Sequence, residues 1–264
     1  MTRSANYPYA IDAMPRGGPA ASWLDRQLQT DVPEYIDRSD VADETKQYVI
    51  AALDDMGTRN GTHETIARKA IDLVGGIDMP RILELGAGHG RLSEQILRLH
   101  PTAELTVSDL DPHSVHKLAT GPLGRDPRVT TKVVDATNIS DPENSYDLVV
   151  FAYSFHHLPP SVAVKAIADA TRVGTTFLVV DLIRWPSPIL LLMPLALAAV
   201  IGWNVRPLPA ARAVIHDALI SNLRAYSPTA LTALGKAADP RMRVQLHPAP
   251  KLRPRARAIT FQRA

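Results

Sequence analysis

The hydrophobic positions of this chain follow a helical period first, then alternate between two periods. Between Asp31 and Leu73 the apolar residues recur at helical spacing. Val49, Leu53 and Met56 form one stripe, with Ser39 or Asp40 placed to cap it and Gly57 and the following TRNG to end it. Ile66, Ala70, Ile71 and Val74 form a second stripe, opening at Thr62 and stopping at Gly75-Gly76. From there, short apolar runs (RILEL, AELTVSDL, RVTTKVVDA, YDLVVFA, TTFLVVDLI) are separated by amphipathic ones (GRLSEQILRLH, PHSVHKLA, SVAVKAIADAT). Strands alternating with helices predict a mostly parallel sheet covered on both faces. The tail breaks the rhythm: the helical SPTALTALGKAA is followed by MRVQLHP and RARAITFQR, two strand-like runs that predict an antiparallel finish.

One stretch fits neither period. Trp185 to Val205 is 21 residues without a charge, long enough to raise a membrane span. Prolines at 186, 188 and 194 cut it, and its longest proline-free part, Leu195–Val205, has 11 residues. That part spans about 17 Å as a helix, against roughly 30 Å for a bilayer core. A single crossing would also separate the last two strands from their sheet. The chain thus divides into an irregular leader (1–30), a helical cover (31–78), an α/β core (79–184), an apolar helical insertion after the fifth strand (185–226), and a final helix with two strands (227–264).

Composition narrows the class without naming it. At 264 residues, 45% hydrophobic and 21% charged, the chain can bury a substantial core. A net charge of +2 neither demands nor excludes an anionic partner. With no cysteine there are no disulfides or thiolate metal sites, and a cytoplasmic location is expected, peripheral to a membrane if the apolar stretch touches one. The first twenty residues hold no apolar run of signal-peptide length.

Parallel α/β sheets bind ligands beyond the carboxyl ends of their strands, so the residues after each strand carry the candidate chemistry. The first strand runs into ELGAGHG (Glu84, Gly86, Ala87, Gly88, Gly90), a tight turn at a helix N-terminus. A nicotinamide fingerprint is not met, because Arg91 stands where the third glycine belongs. Asp109 closes the second run, where it can accept from ribose hydroxyls, and Asp135 closes the third, where it can accept from an adenine amino group.

These motifs resemble the class I S-adenosylmethionine-dependent methyltransferases, with ILELGAGHG as their first motif, SDLD as the ribose acid and VDAT as the adenine-side acid. YDLVVFAYSFHHLPP is similar to the segment after strand four in small-molecule enzymes of the ubiquinone/menaquinone type. The resemblance covers Pro80 to Asp181 and implies a Rossmann-like sheet of seven strands with the last one antiparallel. It implies that Glu84, Gly86, Ala87, Gly88 and Gly90 shape the methionine and ribose side of a cofactor pocket. Asp109 and Leu110 then hold ribose and adenine, Asp135 and Ala136 the adenine edge, and Phe151 and Ala152 the methionine end. Arg59, with Asn60 beside it, is placed between the two N-terminal helices to reach the cofactor carboxylate.

The sulfonium cofactor is already electrophilic, so alignment of acceptor, methyl and sulfur is the main task. A base helps only if the acceptor must lose a proton. His156 and His157 are the first candidates, with His216 the second; Tyr153, Ser154, Ser221 and Arg224 are candidate acceptor contacts. No metal is expected, because neighbouring histidines on an extended segment point to opposite sides. The reading is methyl transfer to an O, N or C atom of a small apolar acceptor, with the 185–205 stretch as a lid. A homodimer interface and a shallow membrane contact are the other uses for that stretch. Two alternatives are an RNA methyltransferase, drawing on Arg253, Arg255 and Arg257, and a non-catalytic module. Aromatics are 5% of the chain, and none interleaves with those arginines before Phe261, which disfavours nucleic acid.

Overall fold

The computed structural model describes residues 11–38, 40–204, 208–248 and 256–264. Ser39, Arg253 and Arg255 lie outside them. Seven strands form one sheet in the order β3-β2-β1-β4-β5-β7-β6. They are β1 (Arg81–Leu85), β2 (Glu104–Asp109), β3 (Val129–Val133), β4 (Tyr146–Ala152), β5 (Gly174–Leu182), β6 (Arg243–Leu246) and β7 (Ala256–Gln262). The first five are parallel; β7 runs antiparallel to both β5 and β6. Arg257 sits in that sheet opposite Asp181.

The strand sequences explain why both faces are covered. Leu83, Val149, Phe151, Phe177 and Val179 enter one core; their neighbours Ile82, Leu148, Val150, Leu178 and Val180 enter the other. This is the two-residue alternation of a strand with apolar side chains on both sides. Helices α3 (Thr62–Val74) and α4 (Arg91–Leu99) bury Ile66, Ala70, Leu92 and Ile96 against the second face. The first face is packed by α6 (Pro160–Val173) and α9 (Pro228–Ala238), whose N-cap Ser227 accepts from Ala230 N. Helix α5 (Pro112–Thr120) links β2 to β3, its N-terminus capped by Asp111.

A cap layer lies over the sheet. Helix α2 (Asp43–Arg59) runs through Gly57, and its N-cap position is Ala42 rather than Asp40. The insertion is a helical pair, α7 (Ser187–Asn204) and α8 (Leu208–Arg224). Val49 of α2 packs with Ala213 and Val214 of α8 in a small separate core that also takes in Tyr35 and Ile36. The prolines do not break α7 as expected. Pro188 stands in the first turn, where no amide partner is needed, and the helix continues through exposed Pro194. Among the described residues no helix is long and apolar enough to cross a membrane.

The insertion leaves and returns at one point: Ile183 bridges to Tyr226, and Arg184 N donates to Tyr226 O at 3.1 Å. The expected irregular leader also differs, because residues 11–38 form a packed strap. It carries the short helix α1 (Trp23–Gln27) and buries Met14, Arg16, Asp25 and Glu34. Arg184 donates to Asp25 Oδ1 (2.8 Å) and to the carbonyls of Asp25, Leu28 and Leu223. Arg16 donates to His156 O and Arg224 O, both at 2.8 Å. Alternation of hydrophobicity could not reveal this strap, since buried charged side chains anchor it.

Candidate functional site

The glycine loop after β1 is built on backbone geometry. Gly86, Gly88 and Gly90 all have positive φ, at 62°, 54° and 76°. A side chain on Gly90 would strike Leu123 and Leu118, whereas one on Gly88 would meet nothing within 4 Å. Gly88 therefore faces open space, and its amide donates to Asp109 Oδ2 at 2.9 Å. Asp109 Oδ1 accepts from Asp111 N at 3.0 Å, so one carboxylate at the end of β2 orders two turns. Glu84 lies beneath, buried, accepting from Ser93 Oγ of α4, while Ser108 Oγ donates to Glu84 O at 2.7 Å.

Around this loop the other sequence candidates divide. Leu110 is 65% exposed beside Asp109, an apolar surface free to meet a flat ring. Asp135 is exposed two residues past the end of β3 and holds its own turn through Thr137 N and Oγ1, both at 2.8 Å; Ala136 is next to it. Phe151 is buried under Gly86 and Ala152 half-buried at the end of β4. Tyr153 has φ 56°, a strained conformation for a non-glycine residue, and its hydroxyl is buried without a partner. Burial raises the Tyr153 phenol, Asp181 adds to this, and it stays neutral. Ser154 Oγ lies close to where a Gly86 side chain would stand. Arg59 is not drawn in: its guanidinium is exposed and faces Asp55 on its own helix at 3.7 Å. Helix α2 reaches the loop instead through Gln47, which accepts from Lys117 Nζ (2.8 Å) and lies 3.3 Å from His89 Nε2.

The histidines form a second group. They lie on a 3₁₀ turn (Phe155–His157) rather than an extended segment, which brings their rings to 4.4 Å between centroids. His156 is 3% exposed, with Nδ1 2.7 Å from Asp181 Oδ1 and its amide donating to Asp181 Oδ2. Burial alone would lower His156, but Asp181 and Glu34 outweigh it and push it up to about 10. The residue is therefore not a free base. His157 Nδ1 lies 2.8 Å from Asp37 Oδ2, and Arg224 Nη2 donates to His157 O. Burial pulls Asp37 upward, yet His157 and Arg224 hold it below its ordinary value. Glu34, on the strap, accepts from Ser221 Oγ at 2.8 Å and is likewise held low, burial notwithstanding, by His156 and His157.

The polar positions of α8 face inward: Asp217, Ser221 and Arg224 are buried. His216 remains partly exposed, its Nδ1 2.9 Å from Asp217 Oδ1 and its ring edge-on to Tyr35 at 4.8 Å. Tyr35 N donates to the same Asp217 oxygen at 2.7 Å, and burial raises Asp217 above its ordinary value. The sequence reading missed Glu34, Asp37 and Arg16, and no local pattern marks them: their partners lie 120 to 208 residues away. A charged concavity of about 550 Å³ between α2, α3 and α4 takes in Asp55, His63, His89 and Arg98 but neither Asp109 nor Phe151, and is not the candidate cleft.

With this geometry in place, comparisons become informative. Residues 82–175 match the family model for a methyltransferase domain. A malonyl-[acyl-carrier protein] O-methyltransferase of Geobacter sulfurreducens is 34% identical over 98 residues, 37% of this chain. The match spans 36% of that relative's length, about a third of it. Among solved structures, the plantazolicin methyltransferase BpumL bound to SAH superposes with a TM-score of 0.60 at 13% identity, over 83% of this chain and 90% of that one. Human N-acetylserotonin methyltransferase bound to SAM gives 0.57 at 17% identity, over 91% and 64%. Residues 82–175, which hold the glycine loop and the β1, β2, β3 and β4 strands of the sheet, thus match a methyltransferase domain.

Proposed function

We propose that the protein transfers the methyl group of S-adenosylmethionine to an O, N or C atom of a small apolar acceptor. The observation that carries this reading is the Asp109 latch. Three left-handed glycines follow β1, and the one that faces open space, Gly88, donates its amide to a carboxylate at the end of β2. In this reading the cofactor lies across that loop, ribose on Asp109, adenine between Leu110 and Asp135–Ala136, and methionine toward Phe151 and Tyr153. The neutral Tyr153 hydroxyl, buried without a partner, offers a hydrogen bond at the reacting end. Helices α7 and α8 supply the cover from which an apolar acceptor gains, by excluding water from the displacement.

Proton removal does not fall to His156, which is enclosed between Asp181 and Glu34. His216 suits it better: a partly exposed imidazole oriented by the buried carboxylate of Asp217. Calorimetry with S-adenosylmethionine and its demethylated product tests the cofactor reading, and failure to bind either refutes it. Incubation with methyl-labelled cofactor and a host metabolite extract, followed by mass spectrometry, then identifies the acceptor. Labelled RNA instead of a small molecule would replace the acceptor class proposed here.

A further inference from the structure

The turn after β4 and the N-terminal strap bring together a donor set that methyl transfer does not use. Glu34, His156 and His157 each offer a donor atom, all within 4.8 Å of one another. Both imidazoles have Nδ1 engaged by a separate carboxylate, Asp181 at 2.7 Å and Asp37 at 2.8 Å. Both therefore turn Nε2 toward the same acid. His156 Nε2 is 3.3 Å from Glu34 Oε1, and His157 Nε2 is 3.7 Å from Glu34 Oε2.

An imidazole that donates from Nδ1 to one carboxylate and turns Nε2 to another needs a cation, either a proton or a metal ion, between Nε2 and the second carboxylate. A proton there would draw the pair to about 2.7–2.9 Å in good alignment. Instead His156 Nε2 is buried and makes no well-aligned hydrogen bond. Two donors each about 2.0–2.1 Å from one tetrahedral ion stand roughly 3.3 Å apart; the His156–Glu34 pair has this spacing and the His157–Glu34 pair, at 3.7 Å, is wider. Arg224 answers one of the three carboxylates, Asp37, at 3.2 Å.

We propose that Glu34, His156 and His157 bind one divalent transition-metal ion of the zinc class, with Asp181 and Asp37 orienting the two imidazoles. Imidazole nitrogens select such an ion over magnesium or calcium, which favour all-oxygen sets. A carboxylate behind each histidine is the usual support for a ligating imidazole. The ion fastens the strap to the turn after β4, at a second point besides the Arg184–Asp25 anchor.

The test uses the full chain, stripped with a chelator and dialysed against zinc, with metal content read by elemental analysis. A cobalt(II) sample is read by visible absorption. We expect about one zinc per chain, the intense visible bands of low-coordinate cobalt, and a thermal midpoint that rises with added zinc. His157→Ala should abolish uptake, Asp37→Asn should weaken affinity about 10–100-fold, and His113→Ala on the exposed face of α5 should change nothing. Substoichiometric uptake by folded wild-type protein overturns the proposal, as do cobalt bands that persist in His157→Ala. Should His157→Ala fail to fold, the wild-type cobalt spectrum and the Asp37→Asn affinity decide, and an unshifted affinity counts against the site.

Discussion

At the scale of single residues, backbone conformation and a few carboxylates define the candidate cofactor site. Asp109 accepts two backbone amides, so its loss removes the clamp on the glycine turn together with the proposed ribose partner. Hydrogen bonds to a charged group contribute about 1.5–3 kcal/mol, which sets the expected weakening for Asp109→Ala at about 10–100-fold in cofactor affinity by calorimetry. Unchanged affinity would remove Asp109 from the site. Gly90→Ala acts on folding instead. Its φ of 76° disfavours any side chain, and the added carbon would sit 2.2 Å from Leu123 Cδ1. The combined strain and overpacking should cost about 2–4 kcal/mol, seen as a lower denaturation midpoint at unchanged m-value. A midpoint within error of wild type would mean that the loop can relax.

Among elements, the insertion is the part whose local pattern misled most, and its anchor the part the pattern could not show. The apolar run marked a helix to cover something, but proline content suggested a broken one; exposure of Pro194 and the first-turn place of Pro188 reconcile the two. Core strands were legible because Ile82/Leu83 and Val149/Val150 each pair one side chain to each face of the sheet. The strap was not, since Arg16, Asp25 and Glu34 read as surface residues until partners from α8, the turn after β4 and Arg184 beyond β5 are in place. Arg184 tests that anchoring. It is buried against Asp25 at the point where the insertion leaves and returns, so Arg184→Ala strands a carboxylate and should destabilise by about 3–5 kcal/mol. The double variant Arg184→Met/Asp25→Leu should recover much of this; failure to recover would assign the cost to lost backbone contacts. On α7, Leu190 and Met193 face inward while Leu191 and Leu195 are exposed. Polarising the inward pair should lower acceptor turnover while cofactor affinity holds, and an equal fall in both would make α7 core rather than lid.

For the molecule as a whole, one consequence joins the loop, the cap and the sheet. A ligand that binds the folded state alone stabilises it by an amount set by its concentration relative to Kd, about 2.7 kcal/mol at one hundred times Kd. For a chain of this size each kcal/mol moves the thermal midpoint by about 2–4 °C, so the demethylated cofactor product should raise it by roughly 5–10 °C. The proposed site also fixes where hydrogen exchange should slow. Gly88 N and Asp111 N donate to Asp109, and α2 reaches the same loop through Gln47 and His89, so protection should grow in residues 86–91 and along α2. The β6–β7 edge lies at the far side of the sheet order and should be unaffected. A midpoint shift with uniform protection would point to binding that tightens the whole fold, and a shift retained in Asp109→Ala would place the ligand elsewhere. Slowed exchange confined to the loop and α2, lost together with the midpoint shift in Asp109→Ala, is the result that the site requires.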